Sequence, residues 1–375
     1  MTTVIRGAIL GEVRAARPYA GSRPLKIVEF DLDAPGRDEI RVRIEAAGVC
    51  HSDLSVVDGN RPRPLPMLLG HEAAGIVEEL GEGVDELIVG DRVVMTFLPR
   101  CGRCAGCRTE GRIPCEEGSR SNAIGELLGG HRRLSRKGHP VHHHLGVSGF
   151  ATHAVVSTRS VVKVGADVPP EIAAVFGCAL LTGGGAVINV VKPEPDTSIA
   201  VVGLGGVGMA ALVTAAARGV RRIIGIDTQP MKLDMAVGLG ATEVYTPTDA
   251  VAAGVKADAV IEAAGHPRAL ETAIILTATG GVTVTVGLPA PGGESHLDPL
   301  ALTAEARSIV GSYLGSAVPR VDIPIYEAMW RAGTLHADGL ISSRIGLEDI
   351  NEAMDTLADG LALRQVITFP KGHLA

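Results

Sequence analysis

Four cysteines crowd into one short stretch, Cys101-x2-Cys104-x2-Cys107-x7-Cys115. Thiolates at this spacing, in a segment with little apolar periodicity, suit a closed tetrahedral zinc site. Closed coordination leaves no position for a substrate, so such a site would brace a loop rather than react. Two other readings compete: redox-active thiols, and a zinc module that binds nucleic acid. The second would need a basic face. Arg100, Arg103, Arg108 and Arg112 are nearby, but the chain as a whole is acidic.

The other two cysteines stand far apart. Gly48-Val49-Cys50-His51-Ser52-Asp53 and Gly70-His71-Glu72 place metal-ligand residues beside glycine, and Phe176-Gly177-Cys178 holds the last thiol. Cys50, His71 and Cys178 would make a Cys2His set that leaves a fourth position open for chemistry. Their separation means that spacing alone does not join them; each could be an ordinary buried residue.

A third signal is Gly203-Leu204-Gly205-Gly206-Val207-Gly208, which fits G-x-G-x-x-G. It follows the apolar run Ile199-Ala200-Val201-Val202 and opens a helical pattern, the context that a dinucleotide site requires. Its glycines would let backbone approach a pyrophosphate at a helix N-terminus. A second apolar run, Ile223–Ile226, ends at Asp227, 24 residues after Gly203 and close to the interval of about 20 that a dinucleotide site shows. A carboxylate there accepts from ribose hydroxyls and repels a 2′-phosphate. NAD is therefore expected rather than NADP.

These groups need elements to hold them. Residues 1–45 alternate in strand fashion, and Val84–Met95 adds further strand, so the opening is antiparallel and β-rich. Residues 100–144 read as long loops stapled by metal. After Pro193-Glu194-Pro195 strands and helices alternate, which predicts a parallel doubly wound sheet. Its strands are expected at Ser198–Val202, Arg222–Ile226, Asp258–Glu262, Val282–Val286 and Ile309–Gly311. After Pro319 the pattern gives isolated helices and one last strand, Gln365–Phe369. The expected layout is a β-rich catalytic domain from residues 1–192 and 320–375, with a zinc lobe at about 100–116, and a dinucleotide-binding domain at 193–319.

Composition limits the alternatives. The 375 residues are 46% hydrophobic and 21% charged, which is globular. A formal net charge of −7 argues against nucleic-acid or anionic-membrane partners. Aromatics are only 3% and glycines number 48, so the core is built from small aliphatic residues, as in α/β proteins. Ala173–Val191 and Ile199–Ala217 are uncharged and long enough to span a bilayer, but their glycines favour a soluble core. Arg6, Arg14 and Arg17 break the N-terminus before any apolar run of secretory length. A cytoplasmic protein is expected, with its six cysteines as ligands rather than disulfides.

Taken in order, these motifs resemble the zinc-dependent medium-chain alcohol dehydrogenases. The likeness includes Pro140-Val141-His142-His143-His144-Leu145-Gly146 and the closing Arg364-Gln365-Val366-Ile367-Thr368-Phe369. Among these enzymes the sequence is most similar to the dimeric, liver-type and thiol-dependent formaldehyde dehydrogenase branch. The resemblance implies a Rossmann domain plus a GroES-like catalytic domain, two zinc ions per chain, and hydride exchange between an alcohol, or its aldehyde or ketone product, and NAD(H). It implies that Cys50, His71 and Cys178 hold the catalytic zinc, that Asp53 orients His71, and that Glu72 can transiently coordinate the metal from behind. His51 and Arg364 would contact the pyrophosphate. Lys232 would sit beside Asp227 at the adenosine ribose, Thr182 would pack on the nicotinamide, and Val286 would line the cofactor site. Ser52 would receive the alcohol proton. Where many relatives end the proton relay in a histidine, this chain has Ser55.

Matching positions give a pocket of Ser52, Phe97, His144, Leu145, Leu288 and Tyr313, with Arg61 and Arg120 near where other members carry apolar or acidic groups. The acidic residues that recognise a glutathione adduct in the thiol-dependent branch align with Arg61 and Arg63. Those arginines would suit an anionic distal group on the substrate, or else face solvent. Two alternatives accompany the alcohol dehydrogenase reading: oxidation of an S-hydroxymethyl thiol adduct of formaldehyde, and a zinc-lobe binding protein that has lost catalysis. The long stretch from Cys115 to His142, as in dimeric relatives, predicts a homodimer.

Overall fold

The computed structural model describes residues 2–369, which divide into two compact units. Of the described residues, the first comprises 2–178 and 341–369, and the second 179–340. Both boundaries differ from those expected. Residues 179–192 and 320–340 pack with the second unit, because the helical segment after Cys178 is bound there. Gly185 lies so close to Gly315 that a Cβ would strike its carbonyl, and Asn189 donates to Gly315 and to Asp322 on the helix Pro319–Arg331. The break at Pro193-Glu194-Pro195 is a loop inside the second unit.

In the first unit, five strands close a barrel in the order Thr3–Leu10, Leu25–Leu32, Leu134–Arg136, His139–His143, Met67–Leu68. A second sheet runs Val161–Val164, Arg92–Met95, Ala73–Leu80, Glu39–Val49, Arg364–Thr368, Ile341–Ile345, and His153–Ser157 pairs with Glu39–Val49. Alternation along Glu39–Val49 buries Ile40, Val42 and Ile44 in the main core, beside Val77, Val93 and Ile367. Ile341–Ile345 is a strand that the sequence reading missed. The stretch read as loops holds the helix Glu116–Ile124 and the hairpin Leu134–Arg136/His139–His143.

The second unit is a six-stranded parallel sheet. Its order is Glu243–Tyr245, Arg222–Ile226, Ser198–Val202, Ala257–Glu262, Thr277–Thr285, Ser308–Gly311. In sequence rank this is 3-2-1-4-5-6, the doubly wound order expected. Ser198–Val202 is wholly buried, as a central parallel strand of Ser-Ile-Ala-Val-Val should be. The segment Pro170–Val191 is helical, long and apolar enough to cross a membrane, but 72% of its most apolar window is buried within the protein.

Candidate metal and dinucleotide sites

In the first unit, Cys50 ends the strand Glu39–Val49 and begins the helix His51–Val57. Asp53, in the first turn, accepts the backbone N–H of Cys50 at 3.1 Å, which locks the turn presenting the thiol. Its other oxygen accepts from the Gly70 N–H at 3.2 Å and meets His71 Nδ1 at 3.0 Å. That contact commits Nδ1 and leaves Nε2 free, 3.4 Å from Cys178 Sγ. Cys178 comes within reach because Gly177 packs against the Met95 carbonyl with no room for a Cβ. Cys50, His71 and Cys178 are buried, and their donor atoms lie within 4.8 Å of one another. A tetrahedral zinc site would put sulfur and nitrogen about 3.5 Å apart, so the set fits that metal.

The electrostatics suit a cation. Burial opposes ionisation of Asp53, yet the His71 and His144 imidazoles together outweigh it and the carboxyl titrates at about 2. A hydrogen bond from Cys178 holds the Cys50 thiol well below its ordinary value, and the same bond pushes the Cys178 thiol up. Glu72 is fully buried, and neither of its carboxylate oxygens has a hydrogen-bond partner. Burial pushes it up to about 7, against the pull of Arg364, whose Nε lies 3.3 Å away. Gly48 is glycine because the Glu72 carboxylate fills the space that a Cβ would take.

The wall around His71 differs from the expected pocket. Phe97 meets His71 edge-on with centroids 5.6 Å apart, as a pocket wall would. His144, expected to line the pocket, is 1% exposed and places Nδ1 3.1 Å from the Asp53 carboxylate. The turn after the strand His139–His143 carries it inward toward that carboxylate. Leu145 is buried; Arg61 is half-buried and Arg120 exposed. His51 is exposed and Ser52 half-buried on the same helix turn. Arg364 is 2% exposed; besides facing Glu72, its Nη1 donates to the Val49 carbonyl at 3.0 Å. Sequence gave no sign of the Arg364–Glu72 pair, because nothing local relates two positions so distant.

The cysteine lobe closes as expected. Cys101 and Cys107 sulfurs are 3.9 Å apart, as are those of Cys104 and Cys115. A tetrahedron of zinc–sulfur bonds has edges of about 3.8 Å. Backbone N–H groups of Cys101, Cys104, Cys107 and Gly118 donate to these sulfurs at 3.3–3.4 Å, which favours thiolates.

In the second unit the glycine loop leaves the strand Ser198–Val202 and opens the helix Gly206–Ala217. Gly203 has φ +92°, a conformation that side chains resist. Gly205 faces open space, where a phosphate can approach. Gly208 packs on the Gly203 carbonyl. Asp227 accepts the Leu204 N–H at 2.8 Å and the Gln229 N–H at 3.0 Å, and Lys232 Nζ lies 3.9 Å away. Val286 and Thr182 are buried; Leu288 and Tyr313 are exposed. Sequence reading overlooked Glu262. It is 2% exposed and accepts from the N–H groups of Ala264 and Gly265 and from the Thr285 hydroxyl, tying together the ends of two strands beside the glycine loop.

Comparison with known proteins agrees with this geometry. Residues 36–166 match the alcohol dehydrogenase GroES-like domain, and residues 206–331 the zinc-binding dehydrogenase domain. Alcohol dehydrogenase B of Mycobacterium tuberculosis is 34% identical over 96% of this chain and 98% of its own length. A crystal structure of an alcohol dehydrogenase zinc-binding domain protein from Burkholderia ambifaria superposes with a TM-score of 0.92 at 33% identity, covering 99% of this chain and 100% of its own. Benzyl alcohol dehydrogenase from Acinetobacter calcoaceticus does so with a TM-score of 0.90 at 32% identity, covering 98% of this chain and 100% of its own. With both domains matched and a relative 34% identical over nearly its whole length, the chain belongs to the zinc-binding alcohol dehydrogenase family.

Proposed function

We propose that the protein transfers hydride between an alcohol and NAD(H), with zinc held by Cys50, His71 and Cys178. The observation that carries this reading is the buried Cys2His set, with Asp53 fixed behind its imidazole, in a chain that also bears a glycine loop ending on Asp227. Zinc at such a site supplies Lewis acidity that makes an alcohol hydroxyl acidic near neutral pH. Asp53 holds the imidazole, Phe97 shields one side of it from water, and Ser52 takes up the alcohol proton. Asp227 binds the adenosine ribose, and Gly203, Gly205 and Gly208 admit the pyrophosphate. His51, exposed, complements the phosphate charge, whereas Arg364, expected to share that contact, is buried against Glu72 and the Val49 carbonyl.

The substrate class is a primary alcohol or its aldehyde. Likeness to benzyl alcohol dehydrogenase supports an aromatic one. Membership of the liver-type branch rests on the long segment between Cys115 and His142; a glutathione adduct is disfavoured by Arg61 and Arg63 at its recognition positions. A homodimer is supported by the strand Ser308–Gly311, which ends its sheet with one edge unpaired among the described residues. A cytoplasmic setting suits six free cysteines.

The test is NADH absorbance at 340 nm with a panel of primary alcohols including benzyl alcohol, with and without a zinc chelator and low-molecular-weight thiols. Chelator-sensitive, thiol-independent turnover supports the reading. Turnover only with a thiol and formaldehyde would move the protein to the thiol-adduct reaction, and light scattering giving a tetramer would contradict the dimer.

A further inference from the structure

Two imidazoles converge on the Asp53 carboxylate. The same Oδ1 lies 3.0 Å from His71 Nδ1 and 3.1 Å from His144 Nδ1. All three side chains are 0–1% exposed. The rings stand edge-on, with centroids 5.5 Å apart and planes at 88°. His144 Nδ1 approaches the carboxylate off the hydrogen-bond axis and has no other polar partner.

Chemistry decides which tautomer His144 carries. A ring nitrogen bearing a lone pair would face an anionic oxygen across a dry 3.1 Å gap, and both would be repelled. With the proton on Nδ1 the same gap is attractive. The backbone fixes the approach. The His144 N–H donates to Ser148 Oγ at 3.0 Å, and Val147 and Ser148 N–H groups donate back to the His144 carbonyl. A buried donor held this firmly acts on whatever carboxylate it faces.

We propose that His144 is a positioning residue for the Cys2His metal site: it holds Asp53 from a second side and thereby fixes the angle at which His71 presents Nε2. This rests on the metal reading of Cys50, His71 and Cys178. It assigns His144 to the ligand scaffold instead of the substrate pocket. Carboxylates behind metal-bound histidines set ring orientation and metal affinity; here the carboxylate has an anchor of its own.

The test separates the donor from the ring. His144→Phe keeps a ring and removes the N–H; His144→Asn keeps a donor near the Nδ1 position and removes the ring. Both variants are loaded with cobalt(II), and the visible d–d bands and the rate of metal loss to dipicolinate are recorded. His144→Phe should shift the bands and speed loss from the Cys2His site about 10-fold or more, on the scale of lost carboxylate partners. Loss from the four-cysteine site should not change, and His144→Asn should restore most of the retention. Wild-type bands and off-rate in His144→Phe, with only the alcohol KM altered, would overturn the proposal. So would His144→Asn losing metal as fast as His144→Phe. If His144→Phe does not fold, His144→Asn decides alone: a wild-type off-rate supports the proposal and a tenfold faster one overturns it. Wild-type protein that binds only one metal, at the four cysteines, would instead overturn the metal reading itself.

Discussion

Arg364 and Glu72 face each other across 3.3 Å with water excluded from both. Arg364 opens the strand Arg364–Thr368 and Glu72 immediately precedes the strand Ala73–Leu80, and each also touches the backbone that leads to Cys50: Arg364 through the Val49 carbonyl, Glu72 through its own carbonyl to the Gly48 N–H. The pair therefore braces the strand end from which the first metal ligand departs. Removing one member of a buried ion pair leaves an uncompensated charge, at a cost of about 3–5 kcal/mol. Arg364→Met should lower the urea unfolding free energy of the metal-loaded protein by about that much. Adding Glu72→Gln should recover most of the loss, because no lone charge then remains. A double mutant as unstable as the sum of the singles would show that the two residues act independently.

His143 predicts acid lability. It is fully buried, its Nε2 accepts the Arg133 N–H at 3.1 Å, and burial together with Arg132 and Arg133 pushes its titration down to about 3. Unfolding releases it to about 6.5, so below that pH the unfolded chain binds the extra proton. Stability from the neutral ring is complete above pH 6.5 and is lost as pH falls toward 3. Between pH 6.5 and 5 the loss should be about 2 kcal/mol. Denaturant midpoints across that range should fall in the wild type. They should fall less in His143→Gln, which keeps an acceptor for Arg133 but does not titrate. An equal slope in the two proteins would remove His143 as the cause.

The sequence-to-structure match depends on what holds each element. The expected strands Ser198–Val202 and Arg222–Ile226 are found with the same limits, because both are short, mostly apolar runs rich in Val or Ile, followed by glycine or aspartate. The helix Glu116–Ile124 escaped notice because it has no apolar stripe; the Cys115 sulfur caps it, accepting from the Gly118 N–H. The strand Ile341–Ile345, Ile-Ser-Ser-Arg-Ile, alternates in burial but carries apolar residues only at its two ends, too few to mark a strand; it pairs in parallel with Arg364–Thr368. His144 was legible as a histidine near the site and illegible as a partner of Asp53. Three histidines in a row do not disclose where the chain turns, and the turn decides which of them points inward.

Cofactor choice is tied to loop stability at Asp227. The carboxylate is 8% exposed and bonded to the Leu204 N–H inside the glycine loop. A 2′-phosphate would meet this fixed negative charge, with Lys232 3.9 Å from the same oxygen as the nearest compensation. kcat/KM should favour NAD over NADP by about 10²-fold or more, the scale of a like-charge clash of a few kcal/mol. Asp227→Gly should reduce that ratio. It should also cost about 1 kcal/mol of stability, since the Leu204 N–H loses its acceptor. Equal efficiency with the two cofactors in the wild type would refute the assignment.

The alcohol proton has few places to go. Ser52 follows the first metal ligand by two residues and is half-buried on the first turn of its helix. Ser55 lies one turn further on, but its hydroxyl donates to the His51 carbonyl at 2.9 Å. Its proton is thus committed within the helix, and a serine has no titration near neutrality with which to end a relay. His51, exposed beside Ser52 on the same helix turn, is the next polar side chain at hand. Ser52→Ala should therefore lower kcat for alcohol oxidation by about 10²-fold or more, the usual scale for losing positioned proton transfer. Ser55→Ala should change it little. Ser55→His would put a titrating base one turn beyond Ser52, and oxidation should rise more below pH 8 than above it. The profile of kcat against pH for the three variants checks the path. Near-wild-type turnover in Ser52→Ala, or a gain in Ser55→His that does not vary with pH, would show that the proton leaves by another route.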